Sequence, residues 1–216
     1  MRRRKWAVFG LLPMVVGLLT GCALFDQAPT ANLTWNPTDP LARTDVQFTD
    51  LSSDTGGLFG GGGVVSWSWD FGDNDSSPSQ NPKHEYEKGG TYTVKLTVTD
   101  GSGNTTTAQR TITVIPSLDG TWSGFMTDLL FNQITVQLNL NHSASGGITG
   151  MMTRGNLTQV ITSASFDPSS REVQITSMIF GQTLRGTLNA AEDRISGFWY
   201  DAVAGWRGED WYVIRQ

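Results

Sequence analysis

Apolar and polar residues alternate one by one along much of this chain, and after Cys22 no stretch sustains a helical period. Tyr92, Val94, Leu96 and Val98 interleave with Thr93, Lys95, Thr97 and Thr99. Val65, Trp67, Trp69 and Phe71 share a second parity, against Ser66, Ser68 and Asp70. Residues two apart in an extended chain point to the same face. Each such segment therefore buries one face and wets the other, as the strands of sandwiches and barrels do. The expected fold class is all-β.

The second half reads as eight strands: 121–127, 133–141, 147–153, 159–166, 172–180, 183–189, 194–200 and 208–214. Several carry an apolar-polar-Gly triplet: Trp122-Ser123-Gly124, Ile148-Thr149-Gly150, Leu184-Arg185-Gly186, Ile195-Ser196-Gly197 and Trp206-Arg207-Gly208. The first and third residues share a face, so a missing side chain lies beside a large one. Glycine there allows bending and close approach, which suits a sheet curling into a small eight-stranded antiparallel barrel. Eight strands leave an interior that side chains fill, or that holds one small ligand. Ile134, Val136, Leu138 and Leu140 are bulky enough to fill it. Ile115-Pro116-Ser117-Leu118 marks the boundary, because proline interrupts a strand-like run.

The start of the chain has a different character. Arg2-Arg3-Arg4-Lys5 precedes an apolar run from Trp6 to Leu19, which ends in Leu19-Thr20-Gly21-Cys22. The run falls short of the ~20 residues of a membrane span. A basic head, a short apolar body and small residues before a cleavage point mark a secretory signal. The ending resembles the lipobox of bacterial lipoproteins. That resemblance implies a signal peptide over 1–21, acylation of Cys22 (palmitate and diacylglyceryl chains), a tether over 22–29 and a membrane partner. Ala23 is then compatible with the outer membrane, if the host has one. Loss of 1–21 would leave 11 basic against 20 acidic residues, a surface that repels nucleic acid.

Within 30–116, Trp69-Asp70-Phe71-Gly72-Asp73 is followed by Pro82, His84, Tyr86, Gly90, Tyr92, Val94, Leu96, Val98, Asp100 and Gly103. This pattern resembles the polycystic kidney disease (PKD) domain and implies an immunoglobulin-like β-sandwich. Asn74 stands where that family usually has Gly, and Asn tolerates a left-handed turn. A glycine tract over 56–63, interrupted by Leu58 and Phe59, lengthens the preceding loop. Over 117–216, Gly120-Thr121-Trp122 and the late Arg215 are similar to lipocalins and other calycins. There an early Trp packs against a late Arg through a cation–π contact.

Chemistry-bearing groups are sparse. Two histidines, His84 and His142, and one cysteine make neither a hydrolase triad nor a zinc set. Asp70, Asp73 and Asp75 form the one metal candidate, for calcium. The competing reading is that Asp70 and Asp73 hold a turn through side-chain-to-backbone bonds. Trp199, Trp206, Trp211 and Tyr212 are ligand-binding candidates, since exposed rings serve sugars and protein contacts; core packing is the alternative. No other cofactor and no enzyme activity is expected. The expectation is a lipid-anchored envelope protein that binds protein or polysaccharide. The alternatives are a carrier of a small lipid-like molecule, or an accessory to a secreted hydrolase system.

Overall fold

The structure is a computed structural model that describes residues 27–55, 62–128, 130–177, 181–201 and 205–216. Cys22, Leu58 and Phe59 lie outside the described residues, as does the side chain of Trp206. Among the described residues every regular element is a strand.

The first unit is two facing sheets. One holds β1 (Leu33–Asn36), β2 (Asp45–Asp50) and β5 (Lys83–Glu85). The other runs β4 (Ser76–Ser77), β3 (Val64–Asp70), β6 (Gly90–Asp100) and β7 (Thr105–Val114). The expected alternation in β6 buries Val94, Leu96 and Val98 against Phe48, Trp69 and Phe71. One residue departs from it. Val65 is 59% exposed, because the register between β3 and β6 shifts between Val64 and Ser66. The bulge turns Val65 outward and lets Val64 pack on the core in its place.

The second unit is one curled antiparallel sheet. Its strands are β8 (Gly120–Thr127), β9 (Gln133–His142), β10 (Ile148–Arg154), β11 (Leu157–Val160), β12 (Ser163–Asp167), β13 (Glu172–Ser177), β14 (Gln182–Leu188), β15 (Arg194–Asp201) and β16 (Trp206–Arg215). They lie in the order β11-β10-β9-β8-β16-β15-β14-β13-β12. There are nine strands rather than eight because the segment read as 159–166 changes partner midway. The Ile161 N–H donates to Gly150 O (2.9 Å), and the next amide, Thr162, donates to Thr176 O (3.0 Å). One short stretch of chain thus joins the two ends of the sheet.

The glycines of the triplets act as expected. A Cβ on Gly208 would overlap the Trp199 ring, and one on Gly186 would come within 2.9 Å of Trp211. At Gly124, Gly150 and Gly197 it would strike the backbone of the neighbouring strand. Trp122, Trp199 and Trp211 fill the space so made, with Leu138, Ile175 and Val213 around them. Each indole N–H finds a carbonyl: Trp122 that of Leu118 (2.9 Å), Trp199 that of Thr127 (2.9 Å), and Trp211 those of Arg185 and Phe198 (3.0 Å each).

The two units meet through a buried connection. Pro116, Ser117 and Leu118 are buried, and Ile115 pairs with the backbone of Pro40 and Ala42. The Arg215 guanidinium lies 4.2 Å from the Trp122 ring, the contact that the sequence pattern implies. It also donates to the carbonyls of Ser117 (2.6 Å), Asp119 and Glu192 (3.1 Å). Burial, then the nearby Arg43 charge, bring it down to about 10, still charged at neutral pH. Glu192 is fully buried, with a carboxylate oxygen that accepts the Gly89 N–H of the first unit (2.8 Å) and lies 3.6 Å from Arg171. Gly89 has no room for a side chain, since Pro116 stands against it.

His142 completes the joint. Its Nδ1 accepts the Leu118 N–H (3.3 Å), and its own backbone N–H donates to Asp119. Burial holds the imidazole below its ordinary 6.5, against a smaller opposing pull from Asp119. A folded value below the unfolded one means that the unfolded chain binds the proton more readily. Stability from this group is therefore complete above about pH 6.5 and falls as acid is added. The melting temperature should drop between pH 7.5 and 5.5, and a His142→Gln variant should show a flatter profile over that window.

Candidate functional site

The acidic turn of the first unit follows β3. Asp70 accepts the Gly72 N–H (3.0 Å) and pairs with Lys95 (3.3 Å). One oxygen of Asp73 accepts the Asp75 N–H (3.1 Å); the other lies 2.7 Å from Nε2 of His84. Asp73, Asp75 and His84 bring potential ligand atoms within 4.8 Å of one another, and Asp70 stands outside that group. The structure thus unites two of the three expected carboxylates with a histidine that the sequence reading treated as structural.

That histidine is held by rings. His84 stacks on Phe71 at 4.1 Å and meets Tyr86 edge-on at 4.6 Å, while Tyr86 stacks on Tyr92 at 4.3 Å. The Tyr86 hydroxyl donates to Phe71 O (3.1 Å). Burial, and then the Asp73 charge, push its ionisation above the usual tyrosine range. The side chains of the sequence motif therefore form a continuous stack beneath the turn, and Asp73 caps its histidine.

The aromatic candidates of the second unit divide. Trp199 and Trp211 are 2% and 1% exposed and belong to the core, so neither ring face is open to a ligand. Their placement follows from Gly208 and Gly186, which vacate the space they occupy. Tyr212 has the opposite parity to Trp211 and faces outward. The Arg194 guanidinium covers its ring at 4.4 Å, and Phe125, 38% exposed, lies 6.2 Å away on the paired strand.

Phe125 and Tyr212, side by side, line an open groove of about 480 Å³ on the outer face of β8, β9, β10 and β16. Ser123, Thr135, Gln137 and Thr153 line it, with Ile214 and Gln216 toward one end. Its size falls within the ~300–1,000 Å³ typical of small-ligand sites. The sequence reading missed Phe125 and Gln137. Their signal was an aromatic ring among the outward Thr and Ser of β8, beside the Gln-Thr-Gln outward series of β9.

Residues 26–114 match the family model described as "PKD domain". This part of the chain is a PKD domain. A 90-residue stretch is 39% identical to Collagenase ColQ1 of Bacillus cereus (strain Q1), covering 41% of this chain and 9% of that protein. A 77-residue stretch is 40% identical to Pre-pro-metalloprotease PrtV of Vibrio cholerae serotype O1 (strain M66-2), covering 35% of this chain and 8% of that protein. Among solved structures, the PKD1 domain of Vibrio anguillarum Epp is 40% identical with a TM-score of 0.36, covering 42% of this chain and 96% of that one. The chain thus spans less than a tenth of these two curated relatives.

In this PKD domain, Asp73 joins the turn to the aromatic stack. Asp73→Ala should destabilise the protein by about 1.5–3 kcal/mol, the scale of a lost hydrogen bond to a charged group. The expected readout is an earlier urea midpoint for the variant. Added millimolar calcium should leave the wild-type midpoint where it was, since the acidic side chains already serve the turn.

Proposed function

We propose that this chain is a non-catalytic binding protein of the cell envelope, anchored through an acylated Cys22. The PKD domain and the curled sheet would act together as its contact surface for an envelope protein or polysaccharide. The observation that carries this reading is where the free polar groups lie. The interior of the second unit is packed by tryptophans and aliphatic side chains, while its outer face holds a groove with open hydroxyl and amide groups. That arrangement favours recognition on the surface over carriage of a lipid-like molecule inside. The basic head, apolar run and Leu-Thr-Gly-Cys ending support the anchor, and an outer-membrane position follows if the host has one.

A second reading has its own support. The relatives that match the PKD domain include a collagenase and a metalloprotease, so this chain would assist a secreted hydrolase in trans. Metabolic labelling with a clickable fatty acid tests the anchor. Label should enter the wild-type chain and be lost in Cys22→Ser. An unlabelled wild type would remove the envelope anchor from the account.

A further inference from the structure

The outer face of three neighbouring strands has an unusual composition. At the twelve outward positions of β8, β9 and β10 there is no charged side chain. The chain as a whole carries charge at 16% of its positions, so about two charges would be expected among twelve. On β9 the outward series is Gln133, Thr135, Gln137, Asn139 and Asn141, all neutral hydrogen-bonding groups. The one charged residue within these three strands, Arg154, stands at the inward parity at the end of β10, while Arg185 on β14 and Arg194 on β15 lie on other strands.

Two further observations mark the groove within this face. Phe125 and Ile214 are 38% and 41% exposed at positions where alternation normally sets polar residues. Around them, no hydrogen bond to a described residue engages the Ser123 hydroxyl, the Thr135 hydroxyl, the Gln137 amide or the Tyr212 hydroxyl. The flanks are ordered instead: Thr121 bonds Asn139 (2.8 Å), and Thr153 bonds Thr158 (2.9 Å).

We infer that this groove binds an uncharged polysaccharide, an inference that rests on the envelope-binding reading above. Sugar rings present apolar C–H faces and a rim of hydroxyls that both donate and accept. Phe125 and Tyr212 supply ring surface for the first, and the Arg194 guanidinium packs over one face of the Tyr212 ring. The hydroxyl and amide groups of Ser123, Thr135 and Gln137 answer the second, each able to donate and accept. No lysine or arginine lines the groove to pair with a uronate or phosphate. The acidic balance of the chain repels such polymers further. The groove is open, so a polymer passes across it, with one or two sugars seated against the edge that the adjoining Phe125 and Tyr212 rings form.

The test is co-sedimentation of the full chain with insoluble cellulose, chitin and starch, with polygalacturonate and gelatin beads as the charged and protein alternatives. At least one neutral glycan should retain the protein. Phe125→Ala, Tyr212→Ala and Gln137→Ala should each weaken that retention by about tenfold or more, with melting temperatures close to wild type. Gln137→Ala is the decisive variant, since this exposed amide has no structural partner to lose. Retention by a neutral glycan that all three variants preserve would overturn the groove and leave the envelope-binding reading standing. Retention by gelatin or polygalacturonate alone would do the same. No retention by any of the five matrices would overturn both.

Discussion

The Arg215 guanidinium is the contact on which the arrangement of this molecule depends. It comes from the end of the last strand, yet its partners lie at the start of the second unit: the Trp122 ring and the carbonyls of Ser117 and Asp119. A hydrogen bond to Glu192 O adds the β14–β15 turn, and the Glu192 carboxylate reaches on to Gly89 of the PKD domain. Carbonyls left in a buried linker need donors, and a planar guanidinium can serve several at once. The linker is thus part of the core, and the two modules share one joint.

That joint bears on function. A flexible tether would let each module search independently. A buried, hydrogen-bonded linker instead sets the outer groove at a defined position relative to the PKD domain. Several polar groups of the joint are engaged in structure: His142 accepts from Leu118, and Asp119 accepts from His142. The PKD motif is similar, with His84 and Tyr86 consumed in a ring stack. On the outer sheet face, by contrast, the Ser123 and Thr135 hydroxyls and the Gln137 amide are open to a ligand.

Much of the fold was legible in the sequence, for reasons tied to particular residues. Period-two alternation on β6 and β9 fixes which face is buried, and burial follows it residue by residue. The glycine triplets foretold close approach, because a missing Cβ beside a large side chain has one economical use in a curved sheet. Illegible features depended on pairing. The bulge that exposes Val65 is a matter of register with β6. The change of partner at Ile161 and Thr162 divides one apparent strand into two. For Trp199 and Trp211 the sequence left binding and core packing open, and the space beside Gly208 and Gly186 places both rings in the core. The groove was invisible because Phe125 and Tyr212 are 87 positions apart in the chain and meet only as neighbours across β8 and β16.

Native-state hydrogen exchange at the joint tests this account most directly. The Gly89 amide, bonded to Glu192, and the Leu118 amide, bonded to His142, should be protected as strongly as Val94 and Leu96 in the PKD core, exchanging only with global unfolding. Rapid exchange at Gly89 and Leu118 while Val94 and Leu96 stay protected would mean that the modules swing freely, and would contradict a shared joint.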